Sequence, residues 1–538
     1  CGGQAAPNSD NFARRQEFWS RGLTSLTERL RALTPESLQG IRRGIEKESL
    51  RTTPRGQLAL TPHPRALGSA LTNPHITTDF SESQVEVVTG VHACAQACLN
   101  ELTQIHQFVY RAIGDELLWA SSMPCALPPE AEIPIGHYGT SNVGRAKTVY
   151  RTGLAHRYGR PMQTISGIHY NWSMPGLSSD DYFGLIRNFR RQSFVLLVLF
   201  GASPAVTTDF VQGMAHGLQP LGERTLYLPH ATSLRMGNLG YQSDAQSALA
   251  VSYNGLKGYA ASLQEALMRA YPPYEAMGLR DERGGYKQLS TSLLQIENEF
   301  YSTIRPKRVI QTGERPLHAL RERGVEYVEV RCMDLNPFLP VGIDEDTVRL
   351  LDVFLLHCLL SDSPLDSPDE IAALARNQQL VATRGREPGL RLTRGNHEVL
   401  LVEWAQEVLN ACTPIALALD ALHGGDAHQR ACEAAAAALI DPVRLPSARV
   451  VAAMQQGPQG TEPGSEPGSV PGHLGFALDR SAQIREALVT TGLPAERLAR
   501  FTQQAQASLH EQAAIEAADT LPFEAFRQDY MSPRHLVV

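Results

Sequence analysis

This 538-residue sequence has no apolar run near the ~20 residues that a membrane-crossing helix needs. Its longest, at 194–200, 353–356 and 358–360, read as buried helix segments, and no membrane association is expected. Cysteine is scarce. Cys1, Cys94, Cys98, Cys125, Cys332, Cys358, Cys412 and Cys432 form neither a dense disulfide framework nor paired CxxC motifs, which excludes a disulfide-stapled scaffold and fits a reducing compartment. Cys94 and Cys98, four apart on an expected helix, are read as small half-buried packing side chains. An excess of one charge is missing too: the formal charge is -7, with both signs spread along the chain, so no basic face offers itself to nucleic acid. There is no Walker P-loop, no GxGxxG after a clear strand, no kinase signature set, no GxSxG and no HExxH. Any ATP site must therefore be of another kind, and covalent hydrolysis has no motif to stand on. No charged-then-apolar leader is visible, the start at Cys1 is read as a trimmed or arbitrary one, and a cytoplasmic location is expected.

What the sequence does contain is a set of short runs that place ionisable residues at every second position. They are 44–50 (with Glu46 and Glu48), 81–88 (Glu82, Glu86), 163–172 (Gln163, His169, Asn171), 295–299 (Glu297, Glu299) and 325–331 (Tyr327, Glu329, Arg331). In an extended chain residues two apart share a face, so each run is expected to be a strand aiming polar side chains into one space. Glu46 and Glu48 would then lie ~7 Å apart with Ile45 and Lys47 on the reverse, and two such carboxylates repel unless a cation or an arginine sits between them. Asp79, Glu82 and Glu86 offer further oxygen ligands, and carboxylates completed by phosphate and water are how magnesium is usually held. Taken alone, Glu46 and Glu48 fit a solvated strand face equally well. Gly167 removes bulk beside His169, which would let a ligand approach. Arg305, Pro306, Lys307 and Arg308 read as a compact cationic loop.

Apolar residues at helical spacing predict helices at 12–33, 93–113 and 182–200, then at 347–360, 398–411, 414–422, 429–439, 481–488 and 494–518. The fold class is α+β with a helical C-terminal half: one domain over 1–538, with 13–395 bearing the sheet and 396–538 helical. The stretch 455–472, which repeats Glu-Pro-Gly-Ser, is expected to be a flexible loop.

The run Arg43-Gly44-Ile45-Glu46-Lys47-Glu48-Ser49-Leu50-Arg51, followed in order by the segments 63–72, 76–80, 138–142, 162–171, 199–204, 231–235, 294–299, 304–308 and 329–331, resembles glutamate–cysteine ligase of the proteobacterial type. The resemblance is strong over 38–344 and weak beyond, and so many ordered segments are far more specific than any one motif. It implies a glutamine synthetase-like fold, a curved and mostly antiparallel sheet forming a funnel. It also implies ATP-dependent joining of glutamate, through γ-glutamyl phosphate, to cysteine, the first step of glutathione synthesis. By the same resemblance Glu46, Glu48, Asp79, Glu86, His169 and Glu329 are the metal ligands, for magnesium with manganese as a substitute. Arg331, Arg151 and Arg235 are catalytic, and Arg305, Lys307 and Arg331 bind the nucleotide. Phe80, Tyr150, Gln163 and Tyr241 line the cysteine pocket. A monomer acting on glutamate, cysteine and ATP is expected. Two alternatives stay open: a related ligase that takes another amine, and a non-catalytic nucleotide-binding regulator.

Overall fold

The computed structural model describes residues 25–240, 244–247, 249–311, 313–456 and 472–535. At its centre seven strands build one open sheet: β1 (Arg42–Thr52), β2 (Ile76–Thr78), β3 (Gln84–Val88), β4 (Leu117–Leu118), β5 (Ile168–Ser173), β9 (Ile304–Lys307) and β10 (Tyr327–Met333). Their order is β2-β3-β1-β5-β10-β9, with β4 pairing the far end of β1, and every pair is antiparallel. Three strands, β6 (Ala205–Thr207), β7 (Gln219–Pro220) and β8 (Thr225–Tyr227), make a small separate sheet, and β11 (Arg391–Arg394) with β12 (His397–Leu400) makes a hairpin.

The register decides what each face carries, because residues directly opposite in neighbouring strands share a face. Glu46 pairs with His169, Glu48 with Glu86, Glu329 with Asn171 and with Arg305, and Tyr327 with Lys307, so all of these stand on one side of the sheet. The intervening residues Ile45, Val85, Val87, Ile168, Tyr170, Trp172, Val328 and Val330 stand on the other and join the main core. Three helices supply the opposing apolar surface of that core: Ala95–Tyr110, Ser179–Gln192, which opens on a Ser178–Asp181 capping box, and Glu345–Leu360, capped by Asp344. After Asp344 the chain is mainly helical, as expected. Among the described residues no helix is long and apolar enough to cross a membrane.

Several expected elements differ. The run 295–299 is a 3₁₀ turn, Glu297–Glu299, since its acids turn inward to arginines: Glu297 pairs with Arg315 at 2.7 Å and Glu299 with Arg157 at 2.9 Å. Gln163 lies in another 3₁₀ turn, Met162–Thr164, before β5 begins. Residues 81–83 form the approach to β3, where Glu82 accepts the backbone N–H groups of His63 (2.9 Å) and His137 (2.8 Å), so it ties loops together and stands apart from the other acids. Arg305, Pro306 and Lys307 are strand residues of β9. Pro414 sits inside one continuous helix, Leu401–His423, whose buried face carries Cys412, Ile415 and Ala416. Cys94 is the exposed N-cap and Cys98 is fully buried, so they do not form a matched pair. Of the helix expected over 12–33, only Leu26–Ala32 and its flanks lie within the described residues. Gln455 and Gln456 end the helix Pro446–Gln456, and 457–471 lie outside the described residues.

Candidate functional site

On the polar face two groups of metal-capable atoms meet at one imidazole. Glu46, His169 and Glu329 form the first and Glu48, Glu86 and His169 the second, each with its ligand atoms within 4.8 Å of one another. His169 Nδ1 lies 3.1 Å from Glu46 and 3.9 Å from Glu329, and its Nε2 lies 3.7 Å from Glu48. Asn171 donates to the second Glu46 oxygen at 2.8 Å, and the Gly167 N–H donates to Glu48 at 2.8 Å. Both hold their carboxylates from the neighbouring segment, Asn171 within β5 and Gly167 just before it.

Cations cluster at the β9–β10 edge. Lys307 Nζ is 3.0 Å from one Glu329 oxygen and Arg331 is 2.9 Å from the other. A register irregularity between Val330 and Met333 lies at Arg331, the kind of feature that re-aims a side chain. Arg305 spends its NH2 on the carbonyls of Asn298 and Phe300. Protein surrounds this cluster, yet Glu46, Lys307 and Arg331 keep 18%, 29% and 20% of their side-chain exposure, as groups lining a concavity do.

The electrostatics split along the same line. Burial raises Glu329, but Lys307, Arg331 and His169 outweigh it and hold the carboxyl well below its usual range. Burial likewise opposes ionisation of Glu46, and His169 and Lys307 reverse that. For Glu48 the opposing help of Arg235 and the Gly167 N–H, and for Glu86 that of Arg151 and Lys147, is outweighed. Burial, Asp79 and Glu86 push Glu48 well above the carboxylate range, and burial, Asp79 and Glu46 push Glu86 up to about 8. Burial and Arg331 keep His169 below its ordinary value, hence a neutral ligand-type imidazole.

The other expected residues stand around this centre. Asp79 belongs to neither ligand group; its carbonyl accepts Arg151 Nε and the Tyr138 hydroxyl, the latter at 2.8 Å. Phe80 is buried, its carbonyl accepting the Gly136 N–H at 2.8 Å. Tyr150 and Arg151 come from the helix Asn142–Tyr158. Gln163 donates to the Tyr301 hydroxyl at 3.3 Å, and Tyr150 lies close enough to Tyr301 for the two to interact electrostatically. Tyr241 lies outside the described residues. Arg235 passes beneath Gly167: a Cβ there would sit 2.0 Å from its NH2, so the missing side chain makes room for a guanidinium rather than for a ligand. Arg235 also donates to the Arg331 carbonyl at 2.8 Å and faces Asp334 at 3.6 Å. Behind Arg235 and Arg331 opens a cavity of about 320 Å³ walled by Met236, Tyr253, Tyr301 and Ile371, within the usual size of small-ligand sites. Sequence reasoning missed Tyr301 and Lys147, the latter half-buried near Glu86 and Asp79. Lys147 stands one helical turn before Arg151, a spacing that shows only once the helix is known.

Comparison with known proteins finds relatives over most of the chain. The family model described as glutamate-cysteine ligase matches residues 28–177 and 175–381. A glutamate–cysteine ligase of Pseudomonas fluorescens (strain Pf0-1) is 46% identical over 534 residues, 96% of this chain and 97% of its own. One from Pseudomonas entomophila (strain L48) is 48% identical over 507 residues, 91% and 93% of the two chains. The crystal structure of glutamate–cysteine ligase from Francisella tularensis in complex with AMP superimposes with a TM-score of 0.85 at 36% identity, covering 91% of this chain and 97% of that one.

Proposed function

The chain belongs to the glutamate–cysteine ligase family, and from that premise we propose that the polar face of its sheet is where the ligation occurs. The protein is an ATP-dependent ligase that joins the γ-carboxylate of glutamate to the amine of cysteine, giving γ-glutamylcysteine, ADP and phosphate in the first step of glutathione synthesis. Two bond changes make up the reaction. A γ-carboxylate oxygen takes the γ-phosphoryl group of ATP with release of ADP; the cysteine amine then attacks the acyl carbon of γ-glutamyl phosphate, phosphate leaves, and the nitrogen gives up a proton.

The observation that carries the site assignment is the shared imidazole between two acid groups, one of them short of counter-charge. Five of the proposed ligands, Glu46, Glu48, Glu86, His169 and Glu329, are four carboxylates and one neutral imidazole, a hard, oxygen-rich set that suits magnesium, with manganese as a substitute. Asp79 completes the set through its charge. A divalent ion held there would neutralise the charge that gathers on the transferring phosphoryl group. The chain's own groups do the rest. Lys307 and Arg331 line the phosphate path with Arg305 adding positive charge beneath them, and the planar fork of Arg331 is suited to the phosphoryl oxygens. Arg235 and Arg151 steady glutamate and its acyl phosphate. Phe80, Tyr150 and Gln163 are assigned to the recess for the thiol, with Tyr301 added on the strength of its contact with Gln163, and the family resemblance adds Tyr241 to the same role.

We place the reaction in the cytoplasm, where ATP and reduced cysteine coexist. One chain is taken as the working unit and as one domain, since the proposed metal ligands all come from a single sheet and the turn beside it. The test is an omission matrix: ATP, magnesium, glutamate and cysteine supplied together and each withheld in turn, with ADP and dipeptide measured together. Equal release of both only in the complete mixture is the expected result. ADP release that does not depend on cysteine, or that responds better to another amine, would overturn the acceptor assignment.

A further inference from the structure

Among the described residues Lys147 is the one ammonium near the acid cluster that the ligation scheme leaves without a task. It projects from the helix Asn142–Tyr158 one turn before Arg151, and both cations lie over the ring of Tyr138, Nζ at 4.8 Å and the Arg151 guanidinium at 4.4 Å from its centroid. The ring itself is pinned, its hydroxyl donating to the carbonyls of Thr78 (2.7 Å) and Asp79 (2.8 Å). Lys147 is largely enclosed by protein but keeps part of its exposure, and among the described residues no carboxylate reaches ion-pair distance of it. Asp79 and Glu86 act on it only from further off, and both already belong to the proposed cation site. Burial and Arg151 together hold the amine down at about 8, the mark of a cation short of counter-charge.

Its place beside the sheet says which anion it awaits. The cations assigned to phosphate stand on β9 and β10, whereas Lys147 feels the charge of Glu86 on β3, three strand spacings from β10 and four from β9, about 14 and 19 Å along the sheet. A triphosphate held by the β9 and β10 cations leaves the β3 side of the site for an amino acid. Tyr150 of the proposed cysteine recess is on the same helix, three residues on. In cysteine the carboxylate is bonded to the carbon that carries the attacking amine, so a cation gripping it also fixes the nucleophile's direction. Resting on the ligase reading above, we propose that Lys147 is the binding subsite for the α-carboxylate of the acceptor amino acid, and so selects α-amino acids over simple aminothiols.

Cysteamine, which is cysteine without that carboxylate, provides the probe. In steady-state assays of the full chain, K147M should raise the KM for cysteine about tenfold or more while kcat stays within about threefold. The preference for cysteine over cysteamine in kcat/KM should fall about tenfold, with the KM values for glutamate and ATP unchanged. K147Q should behave alike if K147M folds poorly, and K147R should keep the preference. Equal losses with cysteine and cysteamine, or a rise in the KM for glutamate instead, would overturn the proposal. A wild-type protein that ligates no cysteine at all would sink the ligase reading itself, an outcome visible before any variant is made.

Discussion

The two faces of the central sheet handle buried charge in opposite ways. On the back, Arg43 and Asp352 meet at 3.0 Å with 6% and 4% exposure, Tyr170 donates to the same Asp352 at 2.7 Å, and Lys47 reaches Ser49 (2.8 Å) and His106 (2.9 Å). Arg43, Asp352 and Tyr170 pair with one another, and Lys47, whose partners are neutral, answers its burial by giving up charge, its amine held down at about 7. On the front, Glu48 and Glu86 crowd against Asp79 and gain little from the cations at the far edge. Burying a charge is tolerable when it is paired, and a site that keeps charges unpaired is storing an affinity for something else. Because the strand repeat is two, the roles alternate residue by residue: Glu46 front, Lys47 back, Glu48 front; His169 front, Tyr170 back. Neighbours in sequence should therefore fail in different ways.

The front gives the largest expected effect. E329Q should lower ADP formation by roughly 10³-fold, about 4 kcal/mol in barrier, and leave the melting temperature within a few degrees of wild type. E46Q should follow it. Near-normal turnover in either variant would take that residue out of the metal set. On the back, D352A leaves Arg43 buried without its partner and removes the acceptor of Tyr170. Unfolding in urea should show a loss of about 3 to 5 kcal/mol, with turnover per folded molecule nearly unchanged. If D352A instead kept its stability and lost activity, the division between faces would be wrong.

Period-two reading was enough to bring Glu46, Glu48, Glu86, His169, Glu329 and Arg331 to one face, and to put Lys47 on the other, because alternation is a local property of the chain. Partners were not legible. That Lys47 would meet His106 and that Gly167 would accommodate Arg235 depends on packing between segments 59 and 68 positions apart. Alternation also misled at 295–299. Five residues are too few to separate a strand from a 3₁₀ turn, and Arg315 and Arg157 decide that conformation from elsewhere in the chain. The helix Asn142–Tyr158, and Lys147 with it, was missed for a different reason. Its two glycines oppose helix formation and its apolar residues make no clear stripe. Those glycines are there for packing: a Cβ at Gly144 would lie 2.2 Å from the Tyr138 carbonyl, and one at Gly153 2.2 Å from the Gln295 side chain.

Acid should separate the faces as well. His357, on the back helix Glu345–Leu360, has its imidazole held down at about 4 by burial, against an ordinary value of 6.5. The unfolded chain therefore binds the proton first as pH falls. The contribution of His357 is whole above pH 6.5 and is lost on the way down to about 4, a destabilisation of up to about 3 kcal/mol. Urea midpoints measured from pH 7.5 to 5 should fall in wild type and fall less steeply in H357Q, while the KM for glutamate at a given pH stays common to both. Equal slopes would show that another group governs the acid limb.

The smallest expected effect probes the join between the faces. Gly167 has no positive φ, so alanine is acceptable to its backbone, and what G167A changes is the space that the Arg235 guanidinium occupies. A new methyl 2.0 Å from NH2 must displace that fork, which also donates to the Arg331 carbonyl. The KM for glutamate should rise about tenfold, about 1.4 kcal/mol. R235K should cost about the same, because an ammonium cannot reproduce the two-point grip. If both act through one guanidinium, the double variant should be hardly worse than either single one, a coupling of about 1 kcal/mol. Fully additive losses would mean that Gly167 serves the site through its N–H bond to Glu48 and that Arg235 acts independently of it.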